Sequence, residues 1–371
     1  DGEPKLSARL NRDYNQVIET KLNVDNIRNP ILFGVLNDGS NTQEALNNLP
    51  AGYDYFFPAG IYGVKGFEDG NLFVGHGFRP KSNTTYTFHP QAVIKVLPNS
   101  HRIYHAITLD GQKNVVLNNP KIEGERDEHI IPSGGDTHEW GHGIHISADT
   151  QVKIYNPEIS NTHGDGIDIY AQAGSDIEIY YPKIKRARRN GISVESVDRL
   201  RIYHPEIDDT HGIAPEAGID FEPFNASSPA TAIMKDVVVH EPIIKNSAST
   251  GLAFTFLANT VDKFFDITIN GGVFDGVKTY DIAPLNTGKV VFNLPRIHGG
   301  GHGIHEINSY TNFTYNEPSI FIDKGRNLET KSAYYVIRMK DYANWTGFTT
   351  INNMRFLNEA SDELDVIGID L

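Results

Sequence analysis

A short phrase returns along the chain. It reads Gly-Ile-His-Ile at 143–146, Gly-Ile-Asp-Ile at 166–169, Gly-Ile-Ser-Val at 191–194 and Gly-Ile-Asp-Phe at 218–221, with a weaker copy, Gly-Leu-Ala-Phe, at 251–254. Each copy sets one variable residue between apolar neighbours. Successive residues of a strand point to opposite faces, so an inward apolar pair leaves the residue between them pointing out. The outward series is His145, Asp168, Ser193, Asp220 and Ala253, followed two positions later by Ser147, Tyr170, Glu195, Glu222 and Thr255.

A second phrase, apolar-x-apolar-x-x-Pro-x-Ile, interleaves with the first. Its prolines stand at 120, 157, 182, 205, 242, 295 and 318, in steps of 37, 25, 23, 37, 53 and 23. The step of 53 reads as two coils, with Asn270-Gly271-Gly272-Val273-Phe274 as a worn copy between them, and Asn352 to Phe356 reads as a last one. A period in the low twenties built from short strands and Gly or Asn turns is the mark of a coiled sheet, in which only stacking buries a continuous core. The expected fold is therefore all-β, a right-handed parallel β-helix, with the outward series forming columns on one face.

Composition agrees with this reading and narrows the partners. Hydrophobic residues make up 39% of the 371, which suits the narrow core of a solenoid. A net charge of −14 argues against nucleic acid as a ligand. There is no cysteine, so no disulfide is expected, and no apolar run reaches the ~20 residues that a membrane helix needs.

In chain order, residues 1–30 read as an N-terminal arm and 31–66 as a cap. Within the cap, Asn41 with Glu44 opens a helix over Thr42–Leu49, and Tyr53–Phe57 and Ile61–Val64 are strands. Residues 67–323 form the coiled body, starting with strands at Phe73-Val74, Tyr86–Phe88 and Val93–Val96. Residues 324–371 are expected to be closing coils or a C-terminal contact region, with a strand at Tyr334–Met339 and a solvated acidic tail over Glu359–Asp370.

Asn-Asp-Gly-Ser-Asn-Thr-Gln-Glu-Ala-Leu at 37–46, then Phe-Pro-Ala-Gly-Ile-Tyr at 57–62, resembles the opening of pectate-lyase-like single-stranded β-helix proteins, and of phage tailspike polysaccharide depolymerases in particular. Glu123 to His129, Glu139 to Ile144 and Gly164 to Ile167 strengthen the likeness, which covers about 37–320. The resemblance implies a virion-borne (or secreted) homotrimer acting on a bacterial surface polysaccharide, capsular or O-antigen. Asn161 to Asp168 also resembles the Asn-Thr-Asp-Gly motif of polygalacturonases. Those enzymes carry a paired Asp-Asp on the next coil, where this chain has Arg189-Asn190-Gly191, so their mechanism is not carried over.

Two insertions interrupt the period. The span from Pro120 to Gly143 exceeds the usual one by 14 residues, and that from Gly218 to Pro242 by about 9. The loops Glu123–His142 and Pro223–Met234 are thus expected to wall a trough about four coils wide, since long loops on a rigid scaffold are where binding sits. On the trough floor, Asp168, Asp220, Glu222, Glu195 and His145 are candidate catalytic residues, with Glu139 or Asp127 reaching over Asp168 from the first loop. Acid–base work on a sugar needs one protonated and one ionised carboxyl. Strand spacing puts Asp168 and Asp220 roughly 9–10 Å apart and Glu195 and Glu222 about 5 Å apart, while Asp220 and Glu222 are roughly 6.5–7 Å apart along one strand. The sequence does not choose among these pairs.

Tyr170, Trp140, His163, Arg189 and Asp127 are candidate substrate contacts, and Tyr104, Tyr155 and Tyr203 are candidate stacking platforms. Arg189 ends a basic turn, Lys185 to Arg189, that suits an anionic sugar. Asp165 reads as a turn stabiliser before Gly166, and Arg126 as an ion-pair partner of Glu128. The His and carboxylate spacing of the first loop matches no strong metal motif, so neither metal nor cofactor is expected. Hydrolysis is the leading activity. The rivals are a lyase acting on a uronate-containing glycan, with a base such as His145, and a non-catalytic glycan-binding spike.

Overall fold

The computed structural model describes residues 26–67, 75–133, 137–148, 150–171, 174–223, 233–256, 264–281, 287–298, 302–307, 312–322, 334–340, 349–358 and 366–370. Most of the expected arm, the strand at 73–74 and most of the second insertion (224–232) lie outside these residues. Among the described residues, the strands form three parallel sheets of 12, 12 and 10 strands, each stacked in sequence order, the 10-stranded one starting only at Ile103–Asp110. A parallel crossover of this kind winds right-handed. The fold is an all-β right-handed parallel β-helix.

One coil shows the logic. Gln151–Tyr155 lies in the first sheet, Glu158–Ser160 in the second and Ile167–Ala171 in the third. The residue before each repeating proline makes the corner between the first two sheets. Asn156, Tyr181, His204 and Glu241 all take positive φ, between 48° and 53°. A second left-handed corner follows the short strand, at Asn161, Arg186, Asp209 and Asn246. Such residues cost roughly 1–2 kcal/mol each. The stack sustains them because each corner N–H is bonded to the next coil, as Asn156 N–H is to the Tyr180 carbonyl at 2.8 Å.

The two sequence phrases meet in the core. Ile159, Ile184, Ile207 and Ile244, the isoleucines after the prolines, stack in register in the second sheet. Opposite them stand the glycines of the first phrase. A Cβ added at Gly143, Gly166, Gly191 or Gly218 would lie 2.2–2.7 Å from the Cγ2 of the facing isoleucine and 2.6–2.7 Å from the next glycine's carbonyl. The glycine is required because the isoleucine fills its space.

The worn copies are coils. Phe264–Asn270 and Val273–Asp275 supply one, and Thr349–Asn352 and Arg355–Asn358 another. The helix is shorter than expected, Gln43–Asn47; Thr42 stands at its N-cap position, and Asn41 Oδ1 accepts the Gln43 backbone N–H at 3.3 Å. The helix is tied to the first coils by Gln43, which bonds the backbone of Phe67, Lys65 and Gly66, and by Asn47, which bonds Gly77 and Arg79. The acidic tail differs from expectation at its end. Val366–Asp370 is a strand of the third sheet, paired with Tyr334–Lys340. The alternation Ile367-Gly368-Ile369-Asp370 suits a strand.

Gly191→Ala is expected to destabilise the coil by about 1–3 kcal/mol, the usual cost of overpacking a filled core. Chemical denaturation reads the loss, and in a double-mutant cycle Gly191→Ala with Ile207→Ala should cost less than the sum of the two single variants, because the added methyl enters the space the isoleucine vacates.

Candidate active site

The third sheet carries the first phrase, and its register fixes the column. Thr108 pairs with His145, His145 with Asp168, Asp168 with Ser193, Ser193 with Asp220 and Asp220 with Ala253. These side chains face away from the core, yet they are not the solvated face that outward polar residues usually form. Ser193, Asp168 and Asp220 are 1%, 4% and 0% exposed. The second series does not keep its register. Ser147 pairs with Tyr170, but Tyr170 pairs with Ser196, because a bulge inserts Glu195 as an extra residue. Glu195 is therefore set aside from the Tyr170 rung, and it is half-buried.

Arg189 holds the cluster together. Its Nη1 donates to Asp165 Oδ2 at 3.0 Å and its Nη2 to Glu222 Oε2 at 3.3 Å, and its Nε is 3.8 Å from Glu139 Oε2. Asp165 is fully buried and works across coils, in contrast to the local turn role expected of it. Its Oδ1 accepts the Asn190 backbone N–H at 2.8 Å, and its Oδ2 accepts the Ser193 hydroxyl at 3.0 Å as well as Arg189. Glu139 thus meets Arg189 and not Asp168. Arg189 is committed to three carboxylates and is no open grip for an anion.

Asp168 is the charged end of the column. His145 Nδ1 lies 2.6 Å from its Oδ2 and His142 Nε2 lies 3.8 Å away. Burial raises the Asp168 carboxyl, but His142, the hydrogen bond and charge of His145, and Arg189 together hold it below the ordinary carboxylate value. His142 Nδ1 accepts the Asp165 backbone N–H at 3.0 Å, which leaves the Nε2 tautomer facing Asp168. Burial keeps His142 and His105 neutral by lowering both, and the His105 ring stacks on His145 at 4.3 Å.

Asp220 is the opposite case. Burial first, then the Glu222 and Asp165 charges, push it up to about 7 against Arg189 and the Thr255 bond. Thr255 Oγ1 donates to its Oδ1 at 2.9 Å. Glu195 is pushed well above the ordinary value by burial, with Asp168 and Glu222 adding to it. The environment therefore favours the ionised form of Asp168 and the protonated form of Asp220, two rungs away, and of Glu195, on the strand between them.

His142, Asp165 and Asp168 bring ligand atoms within 4.8 Å of one another. The Arg189 guanidinium already supplies the cation there, 3.0 Å from Asp165, and a dication would sit against it.

The first insertion is anchored by a buried polar network that sequence spacing did not reveal. Tyr104 O–H donates to Glu125 Oε1, which is 3.0 Å from His129 Nδ1, and His129 Nε2 is 3.0 Å from His138 Nδ1. His163 stacks on His129 at 3.8 Å and takes the Arg188 guanidinium on Nε2 at 3.1 Å. Burial, helped by His129 and Arg188, lowers His163 to about 3, so it is a neutral acceptor at the loop's base and not on the open face. Other expectations are corrected too. Asp127 is paired with Arg186 at 3.2 Å, away from Asp168. Arg126 donates to the Arg186 carbonyl, while Glu128 faces Lys95 at 3.7 Å. Arg102 covers the Trp140 ring at 4.5 Å. Tyr104 is buried, and Tyr155, Tyr180, Tyr203 and His240 stack on one another at 4.6–4.9 Å along the first sheet.

Residues 99–222 match the family described as right handed beta helix region. That region and the three parallel sheets agree on a right-handed β-helix fold. It is 31% identical over 281 residues to YclG, an uncharacterized protein of Bacillus subtilis (strain 168), across 68% of this chain and 46% of that protein. The SPbeta prophage-derived uncharacterized protein YorA of the same strain is 33% identical over 104 residues, or 27% of this chain and 18% of YorA. The β-helix thus aligns with less than half the length of either relative. Among solved structures, the A-module of mannuronan C-5 epimerase AlgE4 from Azotobacter vinelandii has the same fold, with a TM-score of 0.52 at 13% identity over 92% of this chain and 99% of that module.

The two aspartates predict opposite pH effects on stability. Asp220 is raised when folded, so its protonated form favours the fold, and stability is lost as pH climbs from about 4 to about 7. Asp220→Asn should flatten that decline. Asp168 is lowered, so it contributes stability above its unfolded pKa that is lost on acidification. Asp168→Asn should remove that acid-side loss. Denaturant titrations across pH 4–8 read both.

Proposed function

We propose that this β-helix cleaves a bacterial surface polysaccharide by endo-glycoside hydrolysis, in the manner of a phage tailspike depolymerase. The observation that carries the reading is the placement of Asp168 and Asp220 in one column, two rungs apart, with the small Ser193 between them. Two rungs are roughly 9–10 Å, near the upper limit of the ~6.5–9.5 Å that an inverting pair needs for its water. Their protonation states fit the roles. Asp220 donates a proton to the leaving oxygen, and Asp168, oriented by His145, takes one from water.

A groove of about 390 Å³ beside Asp220 supports the reading. Ala253 and Thr255 line it, and Thr255 also donates to Asp220. The engagement of Arg189 by Asp165, Glu222 and Glu139 favours hydrolysis over β-elimination, which needs a free cation to neutralise a uronate. The prophage-derived relative favours the phage setting, and with it a virion-borne homotrimer.

Asp168→Asn and Asp220→Asn should each lower release of reducing ends from purified capsular or O-antigen polysaccharide by about 10²-fold or more, with circular dichroism unchanged. The kcat/KM profile should fall above about pH 7, where Asp220 loses its proton. Unaltered release by both variants refutes the assignment, and products with the ultraviolet absorbance of an unsaturated sugar replace hydrolysis by elimination.

A further inference from the structure

A second cluster of titratable side chains lies beside the trough, at the base of the first insertion. Glu125 and His129 come from the outgoing part of that loop and His138 from its return. Tyr104 comes from the strand Ile103–Asp110, and His163 and Arg188 from the next two coils. The side chains of Glu125 and His129 are fully buried, and Tyr104, His138 and His163 are buried with them.

Hydrogen bonding inside the cluster limits how many protons it can hold. Burial and the Glu125 charge raise Tyr104 well above its ordinary value, so its hydroxyl keeps its proton and donates to Glu125 Oε1. A carboxylate only accepts, so His129 Nδ1, 3.0 Å from the same oxygen, carries a proton. The deciding contact is then the 3.0 Å one between His129 Nε2 and His138 Nδ1, where one nitrogen must donate and the other accept. A neutral pair satisfies it, and so does a pair with one positive charge. Two imidazolium rings do not, because both nitrogens then carry hydrogens and two charges meet in a buried place. Glu125 offsets one of those charges. The other groups facing the pair oppose a second. His163 stacks on the His129 ring at 3.8 Å, and Arg188 donates to His163 Nε2 at 3.1 Å. Glu139 acts on Arg188 and Arg189 instead.

The return of the loop hangs on these contacts. Arg188 Nη1 also donates to the Thr137 carbonyl at 3.1 Å. After His138 come Glu139, 3.8 Å from Arg189 Nε, and Trp140, which opens the strand Trp140–Ala148 that carries His142 and His145. We propose that His129 and His138 form a proton-counting latch, which holds residues 137–140 on the coils while the pair carries at most one positive charge. Protonation of both rings releases that segment, withdraws Glu139 from Arg189 and lowers activity in acid. The latch stands on the geometry of the pair, and only its effect on activity rests on the hydrolase reading.

The chain's two tryptophans are Trp140 and Trp345, so the test reads Trp140 in the full chain with Trp345→Phe. Arg102 covers the Trp140 ring at 4.5 Å. Release should change its emission reversibly as pH falls from about 6.5, the ordinary histidine value, to about 4, with far-ultraviolet circular dichroism unchanged. His138 has a φ of 51°. His138→Asn keeps a residue that tolerates this backbone and a hydrogen-bonding group near Nδ1, but it does not titrate. It should abolish the transition or move it down by at least one pH unit. One unit below the parent's midpoint, release of reducing ends relative to pH 7 should be about five- to tenfold higher in the variant. His129→Gln, which lacks the other titrating ring, should behave alike and serves if His138→Asn folds poorly. No emission change down to pH 4, a transition that both variants leave in place, or one that coincides with loss of circular dichroism overturns the latch. Asp168 is present in every variant, so an acid transition caused by that carboxylate persists and counts against the pair. The two readings fail separately. A His138-dependent transition without cleavage of any glycan keeps the latch and removes the hydrolase, whereas cleavage without such a transition does the reverse.

Discussion

Close approach of two backbones, set by a missing side chain, underlies the stack. The glycine at the start of each third-sheet strand lets the isoleucine of the second sheet press against main chain, and the next coil repeats the contact. Each buried isoleucine contributes about 1.5–3 kcal/mol of hydrophobic stabilisation, and a coil that buries several, such as Ile154, Ile159, Ile167 and Ile169, outweighs the roughly 2–4 kcal/mol of its two left-handed corners. Those corners fall on residues as unlike as Asn156, Tyr181, His204 and Glu241. Position in the coil, more than residue type, decides their conformation. With the strands so fixed, the outward column has no freedom of register, and Asp168 and Asp220 are placed by the core behind them.

The polar face follows a second rule. Carboxyls packed this closely cannot all be charged, and the structure resolves the conflict unevenly. Asp165, with Asn190, Ser193 and Arg189 around it, is fully satisfied as an anion. Histidines beside Asp168 favour its ionised form, while burial favours the protonated forms of Asp220 and Glu195. Arg189 at the centre makes the unevenness tolerable, because a guanidinium has enough donors to meet several carboxylates at once.

The sequence made the repeat legible because both periods are local. Alternation around Gly143, Gly166, Gly191 and Gly218 placed His145, Asp168, Ser193 and Asp220 in one column, and the prolines marked the corners. What it hid depends on contacts between coils. The bulge at Glu195 leaves no trace in the apolar pattern, since Val194 still points inward. Asp165 looked like a turn residue because its partners Asn190, Ser193 and Arg189 come from the next coil. Glu125, His129 and His138 belong to a loop rich in His and carboxylates and His163 to the stretch 161–168, and only the fold buries them together with Tyr104. Burial of Asp168 and Asp220 was equally out of reach, for alternation reports direction and not depth.

The ladder also limits how such a site can change. Distance between two groups on one column is counted in whole coils, so deleting or duplicating a coil between Asp168 and Asp220 would alter their separation by a single step of about 4.8 Å. One step fewer reaches the range of a retaining pair, and one more, at about 14 Å, puts the two carboxyls too far apart to act on one bond. Finer tuning is left to irregularities such as the one at Glu195, which shift a side chain along its strand without changing the count. The geometry of this wall is in that sense digital, and stereochemical outcome in solenoids of this kind would be expected to switch by insertion or loss of a unit and not by gradual drift.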